Sequence, residues 1–438
     1  MSAISRLSGD LLIVGAGPAG LSAAAVCIEA GLRVVLVDQQ PRPGGQLWRQ
    51  GIAATWPQSR MRRFQASLNS DALRWLPTHR LVLWRSPAVG LFEGPQGAVE
   101  ISATHLLLAT GARELVPPFP GWTLPGVTGA GALQAMVKTG VDLGGAPVTL
   151  AGSGPLLMAS AATLATHGAR LSGIFETQNR RTMRSLAFSL LAYPPQLLQA
   201  LRLRLQAART RYEYGWQLLR AEGTKRLEAV VLRDPRGREQ RIRCARLGVS
   251  YGLVPNIETA AGLALDQRTD RRFPALAVDA NQRCSDHRVF AAGEITGVTG
   301  GAVAELEGQI AGCAIIGDRP RLLRLRRRRQ RILRFAELLA QSFDCAPEQL
   351  PIPDPETVLC RCEDVCWSAA QLGAPDWRSL KLASRVGMGA CQGRICGAIL
   401  QAYEQPAQRG CRPPIAPVSA ATLALLAESP SPPQGPST

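Results

Sequence analysis

The clearest pattern along the chain is an apolar run that breaks into glycines and then resumes. In DLLIVGAGPAGLSAAAVCIEAGLRVVLVDQQ, Leu11 to Val14 predict a buried strand and the glycines a turn. A helix is expected from about Pro18, and Val34 to Val37 predict a second strand. The same order returns in APVTLAGSGPLLMASAATLATHGARLSGIFET, which predicts a second strand–turn–helix–strand unit. HLLLATGAR reads as a buried strand running into Thr110-Gly111-Ala112, and RVFAAGEITGVTGGAVAELEGQIAG as a strand ending at Gly293-Glu294 before a helix. FSLLAYPPQLLQALRLRLQAARTRYEYGWQLL carries leucines at helical spacing. TVLCRCEDVCW closes a stretch that looks helical. The polar, proline- and serine-rich end ESPSPPQGPST predicts a disordered tail over 428–438.

Composition narrows the class. The chain has 438 residues, 46% of them hydrophobic, enough for two or three cored domains. Glycine is abundant at 43 residues and aromatics are scarce at 5%, the balance of a nucleotide-binding α/β protein. No signal-peptide pattern opens the sequence and no run of about 20 apolar residues is present. A cytoplasmic, reducing setting is therefore expected, with peripheral attachment at the inner face of a membrane left open. In such a setting clustered cysteines serve metals or redox chemistry more often than disulfides. The net charge is +17, almost all of it arginine, with lysine only at Lys138, Lys225 and Lys381. Its densest run, RPRLLRLRRRRQRILRFAELLAQ, places Leu322, Leu325, Ile332, Ala336 and Leu339 near helical spacing. That predicts a helix whose apolar stripe packs on its own domain, with a partner protein or anionic lipid as alternatives. Aromatic residues are not interleaved as base-stacking platforms, so nucleic acid is not expected.

Gly15, Gly17 and Gly20 have the spacing of a dinucleotide-binding turn. The first glycine permits the tight turn, the second lets backbone amides approach a pyrophosphate, and the third lets helix and strand pack closely. The helix opening at Pro18 and Ala19 then presents its positive end to the phosphates. Asp38, followed by Gln39, stands where a ribose hydroxyl is bound. In the second unit Gly152 and Gly154 are kept, but Leu157 holds the third position. Glu176 lies 24 residues after Gly152, against 23 from Gly15 to Asp38. A second Rossmann-like fold is expected, and whether it holds NAD(P), another adenine nucleotide or nothing stays open at this point.

Thiol chemistry at a flavin needs two neighbouring cysteines, and the nucleotide units have only the separated Cys27, Cys244, Cys284 and Cys313. His79, His105, His167 and His287 are scattered and belong to no motif. Near the end the picture changes: Cys360 and Cys362 form C-x-C and, after 28 intervening residues, Cys391 and Cys396 form C-x4-C. Two thiolate pairs suit a [2Fe–2S] cluster, one pair to each iron. Glycines 387, 389, 393 and 397 would let the backbone wrap the sulfurs. Structural zinc is the rival, although its sites favour C-x2-C. Cys366 reads as a bystander, and Cys345 and Cys411 have no partner in the pattern.

These segments, with PRPGGQLW (Gly44, Gly45, Gln46) and Gly293-Glu294, resemble the two-dinucleotide-binding-domain flavoproteins that include glutathione and thioredoxin reductases. The resemblance implies FAD held near Gly15, Gly45, Gly111 and Glu294, the last replacing the usual aspartate. CRCEDV with GMGACQGRICG resembles the small helical [2Fe–2S] domain of bacterioferritin-associated ferredoxin. Together with GLVPN, EGQIAG and CRPPIAP, the chain resembles the FAD subunits of hetero-oligomeric amine and amino-acid dehydrogenases: opine oxidases, hydrogen cyanide synthase, D-hydroxyproline dehydrogenase and dye-linked L-proline dehydrogenase.

The fold class implied is α/β: a glutathione/thioredoxin-reductase-like flavoprotein with a small helical C-terminal [2Fe–2S] domain. The expected layout is an FAD domain over 10–117 and 265–318, an inserted Rossmann-like domain over 118–264, a basic helical linker over 319–353 and a [2Fe–2S] domain over 354–408. The implied role is electron relay. A glycine- or sarcosine-oxidase-like FAD partner would oxidise a C–N bond, and a small ferredoxin-like protein is a further candidate partner. A flavin takes electrons in pairs and a [2Fe–2S] cluster carries one, so a chain with both converts between them. The alternatives are a self-sufficient NAD(P)H-dependent reductase feeding a ferredoxin-like acceptor, and a zinc-stabilised docking module on a flavin scaffold.

Overall fold

The structure is a computed structural model describing residues 4–49, 61–371, 373–406 and 411–427; the expected tail over 428–438 lies outside them. Two sheets follow from the two apolar repeats, the first mixed and the second parallel. The first runs in the order 73–76, 34–37, 5–14, 97–108, 89–94, 80–86. Its long strand Gly97–Leu108 has two partners on one side: residues 97–102 pair antiparallel with Val89–Gly94, while 106–108 pair parallel with Val289–Ala291. The sheet is thus discontinuous in sequence, because a strand from near residue 290 returns to it. Leu11, Leu12, Ile13 and Leu36 in its centre are fully buried. The buried strand begins earlier than its apolar signal, at Ser5, because the ladder to Val99–Leu108 carries polar residues with it.

The second sheet is parallel throughout, in the order 212–214, 171–176, 148–152, 246–250, 127–129. An antiparallel three-stranded sheet, 217–222, 229–233 and 239–243, packs beside it. The crossings between the two units are tied by a short antiparallel pair, Ala112–Glu114 with Leu253–Pro255. The leucine-rich segment gives one helix, Pro194–Gln206, started by Pro194 and Pro195, after the helix Arg180–Ser189 that ends within its first residues.

The basic run forms one helix, Arg319–Phe343, capped by Asp318. Its Leu322 and Leu325 pack with Val26, Leu306, Ile310 and Cys313 on the helices Pro18–Glu29 and Gly301–Ile316. The apolar stripe therefore serves its own domain. Among the described residues no helix is long and apolar enough to cross a membrane.

One local expectation is corrected. TVLCRCEDVCW is not helical: Val358–Cys360 and Val365–Cys366 form a two-stranded ribbon. Asp364 turns it at φ 50°, and the Trp367 amide donates to the Thr357 carbonyl at 2.8 Å. Helices Trp377–Ser384 and Cys396–Ala402 follow. Their Leu380, Ile399 and Leu400 share one core with Phe119, Trp122, Leu218 and Val230 of the insert. The segment CRPPIAPVSAATLALL folds back on the first sheet, where Ile415 is buried and its amide donates to the Val82 carbonyl.

Candidate functional site

The predicted FAD residues gather at the carboxyl ends of the first sheet. Gly15 has φ 109°, and a Cβ there would lie 2.3 Å from the Ala109 carbonyl oxygen. A Cβ on Gly20 would come within 1.9 Å of the Gly15 carbonyl oxygen, which shows how closely helix meets strand. Gly17, by contrast, faces open space within 4 Å, leaving room for a phosphate above the start of the helix Pro18–Glu29. The Gly44–Gly45 loop lies on this turn: the Gly44 amide donates to the Ala16 carbonyl at 2.8 Å, and a Cβ on Gly45 would be 3.0 Å from the Gly17 Cα. Gln39 and Gln46 are exposed beside it.

Asp38 closes the strand Val34–Val37 and accepts hydrogen bonds from the Ala16 and Gln40 amides, both at 2.7 Å. Burial pushes its carboxyl up, and the two amides oppose that shift. The side chain keeps partial solvent access, as a ribose ligand needs.

Thr110, Gly111 and Ala112 are clamped by the GLVPN segment. Asn256 Nδ2 donates to the Thr110 carbonyl at 3.0 Å, Thr110 Oγ1 to the Asn256 carbonyl at 3.0 Å, and the Asn256 amide to the Gly111 carbonyl at 2.9 Å. Gly293 packs its Cα side against Ala19, which brings Glu294 to the same edge. Burial, and then the neighbouring Glu307, push the Glu294 carboxyl up to about 7.

Sequence reading passed over Glu307 and Arg329. Glu307, 1% exposed, accepts from the Gly293 amide at 2.8 Å and from Thr296 Oγ1 at 3.4 Å. Its other oxygen takes Arg329 Nη2 at 2.6 Å and Nε at 2.8 Å from the basic helix. The apolar helix Gly301–Ile316 carries two acids, Glu305 and Glu307, and only burial, which the sequence does not show, separates Glu307 from the Glu305 that pairs with Arg63.

The tight contact at Gly20 gives a direct check. Gly20→Ala should leave roughly tenfold less flavin on the purified protein, read from the flavin-to-protein absorbance ratio. Full flavin occupancy in that variant would show that the turn is not the phosphate site.

The four predicted metal-ligating cysteines also come together. Cys360, Cys362, Cys391 and Cys396 line one cavity of about 290 Å³ with Arg113, Trp122, Arg361 and Arg394. Burial first, and then the neighbouring cysteines, push the Cys362 and Cys396 thiols up. Among the described residues no three Cys, His, Asp or Glu side chains converge to hold a single metal ion. Gly389 has to be glycine, since a Cβ would meet the Cys362 Cβ at 2.2 Å. Cys366 lies outside the cavity lining, opposite Val358 on the ribbon. Cys411, unpaired in the sequence pattern, sits beside the cysteine loop with its thiol 2.9 Å from Gln392 Oε1.

This cavity adjoins the strand that follows the Thr110–Gly111 loop. Arg113 follows Gly111 by two residues, pairs with Glu258 at 2.8 Å and donates to Asn256 Oδ1 at 2.9 Å and to the Arg394 carbonyl at 2.9 Å. Trp122 Nε1 donates to the Val358 carbonyl at 2.6 Å, and the Arg361 guanidinium lies 3.9 Å from the Trp122 ring centre.

A discontinuous sheet with an open glycine turn, and a second parallel sheet inserted in it, define an oxidoreductase of the two-dinucleotide-domain class. The chain belongs to the pyridine nucleotide-disulphide oxidoreductase family, whose profile matches residues 9–312, and is a flavin-dependent oxidoreductase that binds FAD. It is 32% identical to hydrogen cyanide synthase subunit HcnB of Pseudomonas protegens, over 88% of this chain and 89% of that protein. It is 30% identical to an opine oxidase subunit of Agrobacterium tumefaciens, over 95% of this chain and 92% of that one. The crystal structure of L-proline dehydrogenase from P. horikoshii shares the fold at 18% identity and a TM-score of 0.67, covering 97% of this chain and 81% of that one.

Proposed function

We propose that this chain is the electron-relay subunit of a heteromeric dehydrogenase whose partner oxidises the C–N bond of an amino or imino acid. The observation that carries this reading is the cysteine cavity, which shares Arg113 with the strand directly after the flavin loop. The relatives' names support it, since both are subunits of larger oxidases or synthases.

On this reading FAD is held by Gly15, Gly17, Pro18, Ala19 and Gly20 at its pyrophosphate, by Asp38 and Gln39 at its ribose, and by Gly45, Gln46, Thr110, Gly111, Ala112, Gly293 and Glu294 along its length. Cys360, Cys362, Cys391 and Cys396 hold a [2Fe–2S] cluster in a small C-terminal domain. The donor set fits, since four thiols line one cavity and two irons take two thiolates each. FAD supplies two-electron acceptance and the cluster one-electron transfer. The protein's own contribution is positional. Asn256 fixes the flavin loop, Arg113 ties that loop to the cysteine loop, and Trp122 with Arg361 seals the cysteine ribbon against the insert.

The partner is a glycine- or sarcosine-oxidase-like flavoprotein, and a small ferredoxin-like protein is a further component. The assembly works in the cytoplasm.

An anaerobic absorption spectrum of the purified chain, with iron, zinc and acid-labile sulfide measured on the same sample, tests the relay. Iron and sulfide near two per chain beneath the flavin bands are expected. Zinc without sulfide would reduce the cysteine segment to a structural module.

A further inference from the structure

The two Rossmann-like crevices differ in what fills them. In the first, Asp38 is partly accessible; Gly17 and its counterpart Gly154 both have open space within 4 Å, so the difference lies at the acid and its neighbours. In the second, Glu176 at the matching strand end is 0% exposed. It accepts from the Gly154 amide at 3.2 Å and the Gln178 amide at 3.0 Å, with Tyr212 Oη at 3.5 Å. Ser153 between the two glycines and Thr177 and Gln178 beyond the acid are all buried.

What covers them is the chain itself, where it leaves the basic helix. Ser153 Oγ donates to the Phe343 carbonyl at 3.2 Å, and Gln178 Nε2 donates to the Asp344 carbonyl at 2.8 Å. Cys345, 5% exposed, lies 3.6 Å from Gln178 Nε2 and packs in the core that contains Ala151, Phe175, Trp216 and Tyr251. A dinucleotide in such a fold lays its pyrophosphate on the glycine turn and its adenosine ribose beside the acid. Here the side chains at both places are already bonded to backbone carbonyls of residues 343 and 344. Leu157, fully buried in the third glycine position, removes the close helix–strand contact that the first unit keeps at Gly20.

We propose that residues 343–345 have replaced the dinucleotide in the second crevice. The insert is then a socket anchoring the arm between the basic helix and the cysteine segment, and NAD(P)H does not enter there. A tethered occupant competes at high effective concentration, so a free nucleotide must first displace it. The family's pyridine-nucleotide function is on this view closed off within the chain, independently of which metal the cysteines hold.

The test uses the full-length protein, titrated anaerobically with NADH and with NADPH while nicotinamide fluorescence and flavin absorbance are followed. No saturable fluorescence change and no flavin bleaching are expected up to about 1 mM, the upper end of ordinary enzyme affinities. Saturable binding of either nucleotide overturns the proposal, and the fluorescence readout holds whether or not the flavin is reducible. The Ser153→Ala/Gln178→Ala double variant gives the second arm of the experiment. It should be cut by protease near Phe343 about tenfold faster than the parent, with flavin content unchanged. An unaltered cleavage rate would mean that the arm is not held by the crevice.

Discussion

Arg329→Met lowers the folding stability of the flavin-loaded protein by roughly 3–5 kcal/mol, because it strips the partner from a carboxylate that water does not reach. Glu307 is 1% exposed and takes both Arg329 contacts on one oxygen, while the other holds the Gly293 amide. Burial already pushes its carboxyl above the ordinary 4.5, and Arg329 is the main influence pulling it back. Without the arginine the native state favours protonated Glu307 more strongly. A carboxyl raised in the folded state contributes stability below its unfolded value and loses it as pH rises through the folded one. The deficit against wild type should therefore be smaller near pH 5 than at pH 8. Urea unfolding at the two pH values measures this, and a loss below about 1 kcal/mol at pH 8 would place the pair among exposed bridges of little consequence. Replacing both members, Glu307→Gln with Arg329→Met, should recover much of the loss, since no buried charge is then left unpaired. Because Glu307 also holds the turn at Gly293 and Thr296, the single variant is expected to bind flavin less tightly.

On the proposed [2Fe–2S] assignment, Cys396→Ser abolishes the cluster while sparing the flavin. Cys396 is 1% exposed at the start of the helix Cys396–Ala402 and lines the cavity with the other three thiols, so on that assignment its loss removes one of the four ligands. Iron and sulfide should fall from about two per chain to near zero, with the flavin-to-protein ratio within about a tenth of wild type. The separation is expected because the cysteine cavity and the glycine turn sit on different cores. Cys366→Ser, outside the cavity, should keep its iron. Equal loss in both variants would mean that the ribbon as a whole, rather than the four cavity thiols, determines metal content.

The sequence by itself determined the parts whose signal is local. The glycine turn at 15–20, the strands at 11–14 and 34–37 and the helix from Pro18 are legible because turn, strand and helix each depend on a few adjacent residues. The cysteine motifs are legible for the same reason, since C-x-C and C-x4-C each span only a few adjacent residues. The ribbon at 358–366 was misread as helix because its pairing rests on the Asp364 turn and on backbone bonds that apolar spacing does not encode.

Tertiary structure alone decided the rest. That the basic helix gives Arg329 to a buried acid and Arg321 to Glu29, leaving other arginines in solvent, depends on where three helices cross. That Asn256 clamps Thr110, and that residues 343–345 lie in the second crevice, depend on contacts between positions 146 to 190 residues apart. Such contacts form only when the core has closed, because the entropy of bringing distant segments together is offset by burial that no local stretch supplies.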